Sequence, residues 1–192
     1  MPVMARIHSL LMAFVVLGGL LGCSPVDKPR IDDQSSLDRL FDRLVATSDD
    51  TEARMIEATI RHAWARSDRP EINQLMNQAI AAMHEGDFDT AIAALDQVVA
   101  QQPELVAGWN LRATVHYVQD DNAGALSDIA KTLALEPRHF GAWCGLGLIM
   151  LDIGDNQAAL RAFEIALRYN PHLTDIKQDV VALRDQLAGL PI

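Results

Sequence analysis

Pro103, Pro137 and Pro171 stand thirty-four residues apart, and five other registers keep the same step. They are Ala91, Ala125 and Ala159; Gly86, Asp120 and Gly154; Leu95, Ile129 and Phe163; Leu75, Trp109 and Trp143; and the small residues Ala79, Ala113 and Gly147. A period of this length marks stacked supersecondary units, none of which buries its apolar face alone. Each register has a physical reading. Glycine takes positive φ at a helix end without a Cβ penalty, and aspartate tolerates it better than most residues. A small residue lets two helices cross closely. Proline, lacking an amide hydrogen, stops the second helix of a unit. The bulky apolar position then fills the space between neighbouring units. Val, Ile and Thr alternate over no long stretch, so a sheet is not expected.

The pattern resembles the tetratricopeptide repeat: a bulky residue, a small one four later, a turn glycine, an alanine, an apolar or aromatic residue, then proline. The resemblance covers about residues 72 to 173. The third unit matches best, with Trp143, Leu146, Gly147, Gly154, Ala159, Phe163, Ala166 and Pro171. The first carries Leu75 for the usual Trp, Gln78 for Leu and Ala82 for Tyr. The second carries Arg112 and His116 where apolar or aromatic residues are usual, and Asp120 for the turn glycine. The resemblance implies an all-α, right-handed solenoid of three helix-turn-helix units at 72–105, 106–139 and 140–173.

Such a stack needs caps. Downstream, Ile176, Val180, Leu183 and Leu187 form one apolar stripe, which predicts a capping helix within 174–192. Upstream, Leu37, Leu40, Phe41 and Leu44 predict one amphipathic helix. Residues from about Thr51 to Arg66 predict another, with Met55, Ile56, Ile60 and Trp64 turned inward. The thirty-four-residue frame shifted back once puts Glu57 where alanine belongs, so 37–71 reads as an N-terminal helical cap, or as a badly degraded repeat.

Ahead of this cap, an apolar run from Leu10 to Leu21 follows a weakly positive start at Arg6. It is too short to span a bilayer core of about 30 Å comfortably, but suits a signal-peptide core. The run ends in Leu20-Leu21-Gly22-Cys23, and the composition then turns polar. This resembles the lipobox of bacterial lipoproteins. The resemblance implies a signal peptide at 1–22, lipidation of Cys23, and a flexible tether over 23–36. It further implies a periplasm-facing location in the bacterial cell envelope, anchored to the outer membrane because Ser24 is not the retention-type aspartate. A soluble secreted or periplasmic protein is the alternative.

Charge and spacing bound the chemistry. A formal net charge of −10 and the lack of a basic stripe exclude a nucleic-acid partner. No two histidines make a His-Glu-x-x-His arrangement and no Cys-x-x-Cys occurs, so neither a metal nor another cofactor is expected. Cys144, in Trp143-Cys144-Gly145-Leu146, has no local base or orienting group and reads as a buried or groove-lining thiol. Gly145-Leu146-Gly147 falls inside a predicted helix with no preceding strand, so it is not a phosphate loop. The sequence therefore predicts no enzyme.

In the repeat family the first helices of successive units line a concave surface that takes an extended peptide or a partner's helix. Carried over position by position, that groove receives Asn73, Met76, Ile80, Met83 and His84 from the first unit. The second contributes Ala107, Asn110, Thr114, Tyr117 and Val118, and the third Gly141, Cys144, Leu148, Leu151 and Asp152. Met76, Ile80 and Leu111 stand where chaperone-binding members carry Lys and Asn to clamp a terminal carboxylate. The expected function is a protein-interaction scaffold of the cell envelope holding a protein or peptide in this groove. The alternative is a structural subunit whose groove is covered by its own helices or by homodimerisation, serving assembly of a complex.

Overall fold

The computed structural model describes residues 34–189. The segments expected as signal peptide and lipidated Cys23 lie outside the described residues, as does most of the tether expected over 23–36. The described residues form helices and no strand. They are α1 (Gln34–Ala46), α2 (Asp50–Ala65), α3 (Pro70–Glu85), α4 (Phe88–Gln101), α5 (Val106–Val118), α6 (Asn122–Leu135), α7 (Phe140–Asp152), α8 (Asn156–Tyr169) and α9 (Thr174–Leu187). Three hairpins, α3–α4, α5–α6 and α7–α8, stack in order, with α9 packed on α8.

The thirty-four-residue step recurs in the hydrogen bonding. The amides of Asp87, Asp121 and Asp155 donate back to the carbonyls of Ala82, His116 and Met150, each at 2.9 Å, and close the same turn in each unit. The residue before each aspartate sits in the left-handed region: Gly86 at φ 76°, Asp120 at 61° and Gly154 at 83°. Asp120 is the one non-glycine there among the described residues, and it reproduces the turn of its neighbours. The three aspartates are themselves a register, since their carboxylates cap α4, α6 and α8 by accepting from Thr90, Gly124 and Ala158 amides.

The two tryptophans hold equivalent places. Trp109 Nε1 donates to the carbonyl of Pro103 at 2.7 Å, and Trp143 Nε1 to that of Pro137 at 2.8 Å. Each indole thus ties the first helix of a unit to the proline ending the unit before. Ala91, Ala125 and Ala159 are wholly buried at the crossings, and Leu95, Ile129 and Phe163 are buried beside them. At the crossing of α7 and α8, a Cβ on Gly147 would fall within 3.0 Å of three atoms of the Phe163 ring.

Arg112 and His116, the irregular residues of the second unit, are explained by polar compensation. Arg112 makes a bidentate pair with the almost wholly buried Asp128 at 2.7 and 2.8 Å, reaches Asp96 at 2.6 Å, and lies over the Trp109 ring at 5.0 Å. These partners hold its guanidinium above its ordinary pKa, Asp128 most strongly. His116 Nδ1 stands 2.9 Å from Asp121.

The N-terminal hairpin departs from the expected cap in boundaries and one contact. It spans 34–65 rather than 37–71: α1 starts within the range expected as tether, and Pro70, at the first position of α3, belongs to the first repeat. Asp49 caps α2 by accepting from the Thr51 and Glu52 amides. Ile56, Ile60 and Trp64 are buried as expected, but Met55 is 67% exposed, because the inward stripe of α2 runs through Ala53, Ile56, Ile60 and Trp64.

Candidate functional site

The hairpin docks on the second and third repeats, α2 against α5 and α1 against α8. Trp64 stacks on the His139 ring with centroids 4.1 Å apart and tilts on Phe140 at 5.3 Å. Phe41 meets Tyr169 edge-on at 6.3 Å, beneath the guanidinium of Arg138 at 4.5 Å. Polar bonds clasp the rim: Arg138 to Asp38 at 2.6 Å, Asn170 to Glu57 at 2.9 Å, and His172 Nε2 against the Leu44 carbonyl at 3.0 Å. Burial and the nearby Arg61 charge push His139 down to about 3. The neutral ring it keeps accepts the Ala142 amide through Nδ1 at 3.0 Å, capping α7.

This docking turns the face of the first helices into a cavity of about 580 Å³. Its floor is α5 and α7, with Asn110, Thr114, Tyr117, Cys144 and Leu148. One wall is α2, with Glu57 and Arg61; the other is the start of α9, with Asp175 and Asp179. Glu57 and Arg61 pair at 2.6 Å one helical turn apart. Tyr117 donates its hydroxyl to Asp152 at 2.7 Å. Thr114 donates to the Asn110 carbonyl, which leaves its methyl side for the floor. Asn110 is buried, 4% exposed, in the floor of the cavity. Burial pushes the Cys144 thiol up to about 12, so it is a protonated, uncharged part of the lining rather than a nucleophile.

Six of the residues expected in the groove therefore line the cavity together: Asn110, Thr114, Tyr117, Gly141, Cys144 and Leu148. The others do not. Met76, Met83 and Ala107 lie in the buried seam where α3 and α4 meet α5, with Ile80 packed against it. Asn73 caps the turn before α3, bonding both the amide and the carbonyl of Ser67. Leu151 packs on the partly buried flank of the third repeat. The reason is stacking: α5 packs against α4, and residues of α3, α4 and α5 share one buried cluster, so the apolar first-repeat positions become interior. The walls contributed by Glu57, Arg61, Asp175 and Asp179 carry no repeat signature, since they come from the helices outside the repeats. Among the described residues, no group of three or more His, Cys, Asp or Glu side chains is placed to hold a metal ion.

Comparison with known proteins agrees with this geometry. A tetratricopeptide-repeat profile matches residues 76–138. The chain is 33% identical to a TPR repeat-containing protein of Rhizobium etli, over 96% of this chain and 97% of that protein. It is 35% identical to tetratricopeptide repeat protein 36 of Bos taurus over 55% of the chain and 58% of the relative. Among solved structures it is similar to the first TPR of Spaghetti (RPAP3) bound to an HSP90 peptide. That match has a TM-score of 0.59 and 19% identity, over 63% of this chain and 96% of that one. MamA is similar with a TM-score of 0.57 and 18% identity, over 81% and 82% of the two chains.

Proposed function

This chain belongs to the tetratricopeptide repeat family, and on that premise we propose that it is a scaffold holding a protein or peptide partner in the cavity between α2, α5, α7 and α9. The observation that carries the reading is that cavity: about 580 Å³, floored by the first helices of two repeats and mostly apolar. RPAP3 was solved with an HSP90 peptide and yeast Sti1 with an Hsp70 partner, each on a fold of this kind. The work of the site is binding, because its one thiol stays protonated and no base is aligned on it. The apolar segment ending in Cys23 supports a lipid-anchored place in the bacterial envelope, facing the periplasm, with more than one acyl chain giving durable attachment.

The test is site-specific photocrosslinking in cells, with the reactive side chain at Tyr117 on the cavity floor or at Lys131 on exposed α6. The reading expects one discrete adduct from position 117, weakened by Leu148→Ala, and none from 131. Equal labelling from both positions would sink it. A second reading has a specific observation behind it: the chain's own N-terminal hairpin already occupies the rim of the second and third repeats. Under that reading the chain is an assembly subunit with its groove covered, and position 117 reacts only within this chain or with a second copy.

A further inference from the structure

The N-terminal hairpin meets the repeats as a separable body. The repeats and α9 hold three buried clusters whose members all lie between Ile72 and Leu183, so none of them needs α1 or α2. The hairpin has a fourth, made of Phe41, Leu44, Ala53, Ile56, Ile60 and Trp64, which the repeats join through buried Phe140. Residues 66–69 alone connect α2 to α3. In a stack of repeats such units open one at a time, and lifting this one leaves the other clusters whole.

The closed seam is under tension at two points. Trp64 is 6% exposed, yet its Nε1 has no hydrogen-bond partner among the described residues, a penalty that water removes once the seam opens. The ring stacked on it, His139, is 4% exposed and has its Nδ1 committed to accepting the Ala142 amide, so it must stay neutral while the seam is closed. From α2 it faces the charge of Arg61, which bonds Glu57, while Glu57 also accepts from Asn170. On its own turn Glu136 and Arg138 pair with each other, and Arg138 reaches Asp38 of α1. His172 spans the seam too, with Asp50 3.9 Å from its Nδ1, but an Nε2–H donates to the Leu44 carbonyl in either charge state. His139 is thus the group in the seam that a proton turns against closure.

We propose that the N-terminal hairpin is a hinged lid on the second and third repeats, released when His139 takes up a proton in acid, which opens the α5–α7 floor of the cavity on its α2 side. A proton on the closed ring would stand beside Arg61, out of water and without the Ala142 bond; on the open ring it is solvated. Protonation and closure therefore compete. That the lid governs partner access rests on the scaffold reading above, but the lid itself does not.

The experiment is hydrogen exchange of the full chain, read by mass spectrometry from about pH 7.5 to about pH 4.5 and corrected for the intrinsic rate. The ring titrates at 6.5 when open and at about 3 when closed, so closure is complete above 6.5 and weakens below it. The amides of α1 and α2 should lose protection by about tenfold per pH unit below 6.5, about a hundredfold by the end of the range, while those of α4 to α6 keep theirs. Two variants remove the proton site, His139→Asn keeping a capping acceptor and His139→Phe keeping the ring stack, and in both the pH dependence should flatten. Four results would each overturn the proposal: hairpin protection unchanged in acid, a loss that begins only below about pH 5 as carboxylates titrate, the wild-type slope persisting in either variant, or equal loss over α1–α2 and α4–α6. Exchange reads the lid, and crosslinking from position 117 at neutral pH reads the partner, so either reading can fail without the other.

Discussion

Two glycines in α7, two residues apart and so on different faces of the helix, separate packing from helix propensity. Gly145 and Gly147 both lie within the helix, so replacing either by alanine gains about 0.8–1 kcal/mol of intrinsic helix propensity. Their surroundings differ. A Cβ at Gly145 meets Ile129 Cδ1 at 3.4 Å, an ordinary contact. A Cβ at Gly147 falls within 3.0 Å of three atoms of the Phe163 ring, which is wholly buried and has nowhere to turn. Overpacking of this kind costs about 1–3 kcal/mol. Gly145→Ala should then be stabilising by up to about 1 kcal/mol, and Gly147→Ala destabilising by up to about 2 kcal/mol once propensity is credited. Comparing the two variants cancels the propensity and isolates the clash. For a chain of this size their melting temperatures should differ by about 2–12 °C. Urea unfolding followed by circular dichroism gives the free energies, and Phe163→Leu in the Gly147→Ala background should recover part of the loss. A Gly147→Ala variant as stable as Gly145→Ala would refute the close crossing of α7 and α8.

Three further outcomes follow from the geometry. Arg112→Met leaves Asp128 buried without its bidentate partner and should cost about 3–5 kcal/mol, much of it recovered in Arg112→Met/Asp128→Leu; urea denaturation of both variants checks this. His139 has an ordinary pKa of 6.5 when unfolded and about 3 when folded, so the unfolded chain binds the proton first. Its contribution is whole above pH 6.5 and is lost as pH falls toward 3, by up to about 1.4 kcal/mol per pH unit. His139→Asn keeps a capping acceptor without titrating, and a free-energy gap between it and wild type that stays constant from neutral to acid pH contradicts this assignment. Ala125→Trp should overpack the crossing of α5 and α6 and cost at least about 1–3 kcal/mol, read from the same denaturation curves.

The repeats were legible because periodic packing leaves a periodic sequence. Ala125 and Ile129 sit as their registers require, and even Asp120 announces its turn by occupying the glycine position. The aspartate caps at 87, 121 and 155 follow the same step and could have been read from it. The site was only half legible. The floor residues Asn110, Tyr117 and Leu148 come from repeat positions, but Glu57, Arg61, Asp175 and Asp179 stand on helices that obey no repeat. Amphipathic stripes show that α1 and α2 bury one face, not which surface receives it. That choice rests on pairings such as Asp38 with Arg138, one hundred residues apart, and on Trp64 finding His139. Met76 and Met83 failed as groove residues for a related reason: in the first repeat the apolar surface of α3 is consumed by the next hairpin.

Everything said of the cavity depends on the N-terminal hairpin lying against the second and third repeats in solution. Nuclear Overhauser contacts of the Trp64 indole with the rings of His139 and Phe140 measure that directly. The docked arrangement predicts cross-peaks to both, since the ring centroids are 4.1 and 5.3 Å apart. Cross-peaks from Trp64 to residues of α3 and α4, with none to His139 or Phe140, would show the hairpin stacked on the first repeat instead and leave the cavity without its α2 wall.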